Sequence, residues 1–285
     1  MSRRMRIYYY AVLGAMGGLI GWQLSNILGL SFSSLIYLSD LIVGALIGLS
    51  IGLMIGIAEG LLTRNPVHAL RAGFFGGALG FVAGAVGLPL AEFAFQVSGG
   101  GAAARVLGWG VFGLLIGAAE GVTGRSQIWK GVLGGLAGGW IGGALLEVAR
   151  GWLGEPQIGK AGGLMLLGMS VGALIALIAV LLSRAWLEVA SGKLKGTEFI
   201  LDKFMKLHGP NAILGSDSLK ADIVLPDPDV APQHAILQGQ GTHFTLKDLS
   251  TSGTFINDRR ISQARIPTRA KIRVGNTDLV YHERR

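Results

Sequence analysis

Gly44-Ala-Leu-Ile-Gly48-Leu-Ser-Ile-Gly52-Leu-Met-Ile-Gly56-Ile-Ala-Glu59-Gly60 places a glycine at every fourth position of an otherwise apolar run. On a helix of about 3.6 residues per turn these glycines form one stripe, about 24 Å long at about 1.5 Å per residue. The run that contains them, Leu35 to Leu62, exceeds the about 20 residues needed to cross about 30 Å of hydrocarbon. In water a helix this apolar on every face would have to be wholly buried; in lipid it needs only neighbours. Because lipid tails are as apolar as leucine, association there rests on close backbone approach, and a stripe without side chains permits it. Gly131, Gly135, Gly139 and Gly143 repeat the device. Tight helix packing is the expected use of both rows, in preference to a water-filled pore, which would show more polar lining residues.

Five further apolar segments surround this one: Ile7 to Leu28, Val67 to Phe95, Ala103 to Thr123, Ile128 to Leu153 and Gly159 to Leu187. They are related. Ala11-Val-Leu-Gly14, Gly73-Phe-Phe-Gly76 and Gly131-Val-Leu-Gly134 open the odd-numbered segments, and Gly18, Gly80 and Gly138 keep the same spacing. Gly56-Ile-Ala-Glu59-Gly60 matches Gly117-Ala-Ala-Glu120-Gly121 in the even-numbered ones, with Ala179 at the third position. The sequence therefore predicts an α-helical membrane bundle of six transmembrane helices in three hairpin repeats, arranged around a pseudo-threefold axis.

The 285-residue chain divides sharply in composition. Residues 1–191 carry 39 of its 47 glycines and 18 charged residues, whereas residues 192–285 carry 8 glycines and 24 charged residues. We expect a polytopic Gly-rich transmembrane domain over 1–191 and a soluble domain over 192–285. No cysteine is present, so disulfide frameworks and thiolate metal sites are excluded. His68, His208, His234, His243 and His282 lack ligand spacing, and no phosphate loop, zinc-protease helix or nucleophile elbow occurs. The expectation is a non-enzymatic protein without metal or other cofactor.

Orientation follows from basic residues near the segment ends. Arg3, Arg4, Arg6, Arg64, Arg71, Arg125, Lys130, Arg184, Lys193 and Lys195 fall on one side, and Arg105, Arg150 and Lys160 on the other. This bias predicts a multi-pass protein of a prokaryotic cytoplasmic (inner) membrane with both termini cytoplasmic, its N-terminal segment retained as a helix. Glu59 and Glu120 are costly at membrane depth; structural anchoring against a nearby arginine is the expected role, with proton or cation handling as the alternative. Glu92 and Glu147 fall near the outer interface.

Beyond Ser191 the pattern changes to short alternating runs separated by Gly, Pro, Asn, Asp and Ser. These are Glu198–Leu201, Ala212–Leu214, Asp222–Leu225, His234–Leu237, His243–Leu246, Thr254–Ile256, Lys271–Val274 and Asp278–Tyr281. Eight such strands predict an all-β sandwich with function on its loops. Its basic C-terminal end suits anionic lipid beneath the leaflet better than nucleic acid, since residues 192–285 carry only +4 overall.

Ile213-Leu-Gly215, Ala221-Asp-Ile-Val-Leu225, Val230-Ala-Pro-Gln-His-Ala235 and Asp248-Leu-Ser-Thr-Ser-Gly-Thr-Phe-Ile-Asn257, in this order, resemble the forkhead-associated (FHA) domain, over about Lys195 to His282. Members of that family usually bind phosphothreonine peptides. The resemblance implies structural roles for Gly215, His234, Gly253, Thr254 and Asn257, which brace loops and turns. It also exposes three departures. Ser216 stands where the family has a phosphate-binding arginine, Ala231 where it has a phosphate-donating serine, and Ser252 where it has an asparagine holding the peptide backbone. A lost charge-assisted hydrogen bond alone removes about 1.5–3 kcal/mol. Ser216, Ser218, Lys220, Lys247, Thr251 and Ser252 are the candidate peptide- or anion-binding loop residues.

The expectation is a membrane-anchored adaptor whose divergent FHA domain docks a cytosolic or membrane protein partner, a phosphoprotein included, without ordinary phosphothreonine dependence. It would work in the bilayer as an oligomer or part of a larger complex. A channel or transporter regulated by its FHA domain is the alternative.

Overall fold

The computed structural model describes residues 3–29, 36–63, 65–123, 127–152 and 156–284. Sequence readings placed on Leu35, Arg64, Arg125 and Leu153 lie outside them. Six helices precede a β-sandwich. The chain divides into two compact units, one of residues 4–60 and 69–181, the other built on 182–285.

The helices are α1 (Arg3–Ile27), α2 (Ile36–Leu62), α3 (Pro66–Val97), α4 (Ala102–Thr123), α5 (Ile128–Trp152) and α6 (Pro156–Leu181). Their ends follow local chemistry. Asn65 Oδ1 accepts the His68 N–H at 3.0 Å, and Pro66, whose fixed φ suits the first helical position, starts α3. The end of α3 turns at Gly99, Gly100 and Gly101, all at positive φ, where Gly100 N–H reaches back to the Phe95 carbonyl at 3.0 Å.

All six helices form, but five are long and apolar enough to cross a bilayer, starting with α2. The exception is α1, whose Tyr8, Tyr9, Tyr10, Trp22 and Gln23 dilute its hydropathy. Tyr and Trp are residues of membrane interfaces, amphipathic rings with one wet end.

The glycine rows lie where backbone meets backbone. Side chains on Gly44, Gly48 and Gly52 of α2 would overlap the carbonyls of Gly84, Gly80 and Gly76 of α3, and the clash is mutual. Gly113 and Gly117 of α4 face Gly135 and Gly131 of α5 in the same manner, and Gly14 of α1 faces Gly168 of α6. Opposed carbonyls and Cα–H groups at such contacts supply weak hydrogen bonds in addition to dispersion. Gly17 and Gly21 of α1 instead lie against Ile51 and Ile47 of α2, and Gly134, Gly138 and Gly142 of α5 against Ile175, Val171 and Leu167 of α6. Backbone-to-backbone seams (α2·α3, α4·α5, α6·α1) thus alternate with seams filled by larger residues. The tight seams join different repeats, not the two helices within one, and α6 against α1 closes the ring.

The sixth apolar run, read in sequence as reaching Leu187, ends as helix at Leu181. Residues 185–189 alternate with Ala185, Leu187 and Val189 inward and form a strand, β1 (Ala185–Val189). Asp202 explains the change, because its Oδ1 accepts the N–H groups of Arg184 and Ala185 at 2.9 and 3.2 Å and ties them to the sandwich. The remaining strands are β2 (Glu198–Ile200), β3 (Ala212–Gly215), β4 (Ile223–Val224), β5 (Ala235–Gly239), β6 (Phe244–Asp248), β7 (Thr254–Ile256), β8 (Arg259–Ile261), β9 (Gln263–Arg265), β10 (Lys271–Val274) and β11 (Thr277–Glu283). Eight correspond to the runs read from sequence; β1, β8 and β9 are additional. One sheet runs β2-β1-β11-β10-β7-β8 and the other β4-β3-β5-β6-β9. Leu187, Phe199, Leu214, Leu237, Phe244, Leu246, Ile272, Leu279 and Tyr281 are fully buried between them. Each such side chain contributes about 1.5–3 kcal/mol by leaving water.

Candidate functional site

Two polar sites were legible as candidates, one in each unit. In the bundle, Glu59 and Glu120 are 3% and 7% exposed, and both line one small cavity with Arg6, Tyr10 and Ala179. The three positions matched across the repeats therefore converge. Arg6 donates to Glu59 Oε1 at 3.2 Å and lies 2.9 Å from Oε2, and the Tyr10 hydroxyl donates to Glu120 Oε1 at 3.2 Å. The void of about 10 Å³ has room for about one water. Fully buried Phe112, Ile47, Ile51, Ile116, Leu167 and Ile175 fill the bundle core. This arrangement can hold α1, α2 and α4 together through charge; it offers no wide aqueous path.

Sequence reasoning counted Arg6 and Lys130 as loop cations, and the structure buries both, to 9% and 1% exposure. The missed signal for Arg6 was its partner: a buried carboxylate in a membrane protein requires a cation within reach. Glu147 and Glu92 are also held by neighbours. Glu147 accepts from Arg105 and Arg150 at 3.3 Å each, and Glu92 from Gln96 at 3.0 Å.

In the sandwich, His234 is completely buried and clamps two loops. Its Nδ1 accepts the Ala231 N–H at 3.1 Å, so Nε2 carries the proton and donates to the Gly253 carbonyl at 3.3 Å. Gly253 has φ +90°, a conformation that favours glycine, and its N–H donates to Ser250 Oγ at 2.8 Å. Gly215 is buried against the Pro232 carbonyl, where a side chain has no room. Asn257 (φ 48°) and Asp258 (φ 62°) make the two-residue turn between β7 and β8, and the Asn257 Oδ1 accepts the Lys271 N–H at 2.9 Å. That Asn-Asp pair was the available signal for β8, hidden because Arg259-Arg260-Ile261 does not look apolar.

Ser216 joins the same loop cluster, but both its donors are engaged: its backbone N–H donates to the Ala231 carbonyl at 3.0 Å and its side-chain Oγ to the Val230 carbonyl at 2.7 Å. Ser218 and Lys220 lie on the β3–β4 loop, where Lys220 stands 4.0 Å from Asp217, too exposed for much stabilisation. Thr251 and Ser252 are exposed on the β6–β7 loop, and Lys247 projects from the outer face of β6. No hydrogen bond or ion pair among the described residues connects Lys220 or Lys247 with Thr251 or Ser252. The cation that does reach this loop was not anticipated: Arg260 Nη2 donates to the Thr251 carbonyl at 3.2 Å, beside Gly253.

Asp248 organises the loop from below, accepting from Ser250 N–H (3.1 Å), Ser250 Oγ (2.9 Å) and the fully buried Thr254 Oγ1 (2.8 Å). Burial alone raises its carboxyl, but the hydrogen bonds from Thr254 and Ser250 outweigh that effect and hold it below the ordinary 3.8. Asp227 behaves likewise: burial raises it, and bonds from Asp229, Thr277 and Asn276 bring it below 3.8. A carboxyl that ionises more readily when folded stabilises the fold fully above its unfolded value, and that stability is lost as pH falls through the folded one. Protection of the β6 and β7 amides in the full chain, measured as exchange relative to the intrinsic rate at each pH, is thus expected to be high near neutrality and to fall as pH drops below 3.8. Asp248→Asn should flatten that response; an unchanged acid profile would refute the assignment.

Residues 188–284 match the family described as the inner membrane component of T3SS, cytoplasmic domain (Yop-YscD). Among solved structures the chain is similar to the FHA domain of CT664 protein from Chlamydia trachomatis, at 31% identity, 36% of this chain, 100% of that chain and a TM-score of 0.32. It is similar to the cytoplasmic domain of the T3SS sorting platform protein PscD from P. aeruginosa, at 22% identity, 35% and 80% coverage and a TM-score of 0.30. It is also similar to the FhaA FHA domain complexed with the intracellular domain of Rv3910, at 24% identity, 34% and 99% coverage and a TM-score of 0.29. No curated protein sequence matches the chain.

Proposed function

We propose that this chain, whose C-terminal third is an FHA-type domain, is a membrane-anchored adaptor that docks a protein partner through the β3–β4 and β6–β7 loops without requiring phosphothreonine. The observation that carries this reading is the state of the loop cluster. The His234 clamp presents the loops in a fixed frame, while Ser216 Oγ is committed to Val230 and Ala231 offers no hydroxyl. A rigid platform without a phosphate grip suits shape and hydrogen-bond recognition by half-buried Ser218 and exposed Thr251 and Ser252, with Lys220, Lys247 and Arg260 steering an acidic partner. The family description, an inner membrane component of a secretion system, supports work within a larger membrane complex.

In this reading the six helices sit in the inner membrane with both termini cytoplasmic. The membrane domain ends near Leu181 and the soluble domain begins with β1. The paired Arg6 and Glu59 and the apolar bundle core favour anchoring over transport.

Full-length chain in nanodiscs, titrated with matched phosphothreonine and unmodified threonine peptides drawn from a co-purifying partner, tests the claim. The two forms should bind within about threefold of each other, a difference under about 0.7 kcal/mol. Phosphorylated peptides binding tenfold or more tightly would refute phosphate independence.

A further inference from the structure

At the end of the bundle where α1, α3 and α5 finish and α2, α4 and α6 begin, all six helices line a cavity of about 360 Å³ that is partly open to the surroundings. It is unlike the rest of the bundle core. Its walls carry Asp40 and Glu92 from α2 and α3, and Arg105, Arg150 and Lys160 from α4, α5 and α6, with Trp22 contributing an aromatic face. The size falls in the range of small-molecule sites, about 300–1,000 Å³.

The charges in this cavity do not neutralise one another. Arg105 and Arg150 turn to Glu147, at 3.3 Å each, and the Arg105 guanidinium also lies 4.8 Å from the Phe95 ring centre. Asp40 Oδ2 is shut off from solvent without a hydrogen-bond partner. Lys160 makes no ion pair or hydrogen bond among the described residues, although it lines the same space. A carboxylate oxygen shut off from water and an ammonium that line one cavity without meeting are both better satisfied when a ligand bridges them. A simple cation would satisfy Asp40 and Glu92 and worsen the environment of the three basic residues; a simple anion would do the reverse. One molecule carrying an ammonium at one end and an oxyanion at the other satisfies both walls.

We propose that this cavity binds an ammonium–oxyanion zwitterion, its ammonium held by Asp40 and Glu92 and its oxyanion by Lys160 and Arg150. Two sources share that chemistry: the headgroup of phosphatidylethanolamine and a free amino acid. Binding there would tie the ends of all six helices together and stabilise the bundle by mass action.

The test uses the full chain in phosphatidylglycerol nanodiscs, with and without phosphatidylethanolamine, and separately with added glycine or O-phosphoethanolamine. Thermal midpoint and native mass spectrometry are the readouts. A rise in midpoint with bound phosphatidylethanolamine, and none with the solutes, assigns the lipid headgroup; a rise with glycine or O-phosphoethanolamine assigns a free zwitterion. In either case ethanolamine alone and phosphate alone should bind at least about tenfold more weakly, about 1.4 kcal/mol. Asp40→Asn and Lys160→Gln should each abolish the ligand-induced rise. The comparison with ethanolamine and phosphate needs no variant, so the proposal stays testable if either substitution impairs folding. It is overturned if no zwitterion raises the midpoint, which would leave a water-filled vestibule. It is equally overturned if phosphate alone raises the midpoint as well as a zwitterion does, or if folded Asp40→Asn and Lys160→Gln variants respond like the parent.

Discussion

Gly48→Leu is expected to destroy the bundle. A side chain at this position would overlap the Gly80 carbonyl and come within 2.9 Å of the Gly84 Cα, both of them backbone atoms that no rotamer change can move. To admit leucine, α2 and α3 must separate along their whole shared length, because Gly44 and Gly52 meet Gly84 and Gly76 on the same seam. Helices in ordinary contact lie about 8–10 Å apart, and glycine seams are the means of coming closer. Separation forfeits the dispersion and Cα–H contacts of the seam, with no hydrophobic effect in lipid to compensate. Overpacking in a core costs about 1–3 kcal/mol when neighbours can shift, and more when they cannot. We expect about 3 kcal/mol or more, seen as loss of folded, detergent-stable protein. Gly151→Leu is the control: nothing lies within 4 Å of a side chain there, and stability should be unchanged. Equal stability of Gly48→Leu and the parent would show that the seam is not required.

Both glycine rows could be found from spacing alone, since a four-residue repeat on an apolar helix has few other uses. What spacing could not reveal was the partner of each row. The repeats suggested hairpins, yet the tight seams run between repeats, because the glycine faces of α2 and α5 turn toward α3 and α4 while bulky Ile47, Ile51, Val171 and Ile175 fill the seams within a repeat. The sandwich was legible wherever strands alternate with apolar residues inward. β8 and β9 escaped notice because both lie at sheet edges and carry Arg259, Arg260, Gln263 and Arg265, polar residues that suit an edge exposed to water. β1 escaped because its inward Leu187 and Val189 continue the composition of the preceding membrane helix. The loop clamp was predictable from the family resemblance, whereas Arg260 was not, since its reach to Thr251 depends on the hairpin that the sequence reading missed.

The second large effect concerns Arg6. Its side chain and that of Glu59 are 11% and 4% exposed, with the guanidinium and carboxylate in contact at 2.9 Å. Arg6→Met should cost about 3–5 kcal/mol, because it removes the guanidinium in contact with a buried carboxylate. Glu59→Leu should cost less. Arg6 sits in the second turn of α1, near a helix end, where a long flexible stem can carry the guanidinium toward the interface. Arg6→Met with Glu59→Leu should recover most of the stability, since two apolar side chains of similar volume can replace a buried ion pair at little net cost. A thermal-denaturation double-mutant cycle reads the coupling, and additive losses would show that the pair contributes nothing jointly. The same double variant separates anchoring from transport. An adaptor with its charges removed but its packing kept should dock its partner as the parent does. If Glu59 instead carried protons or cations across the bilayer, reconstituted parent protein would dissipate a liposome gradient and the double variant would not. A parent gradient that stays intact, together with unchanged docking by the variant, is the result that the ion-paired, tightly filled core leads us to expect.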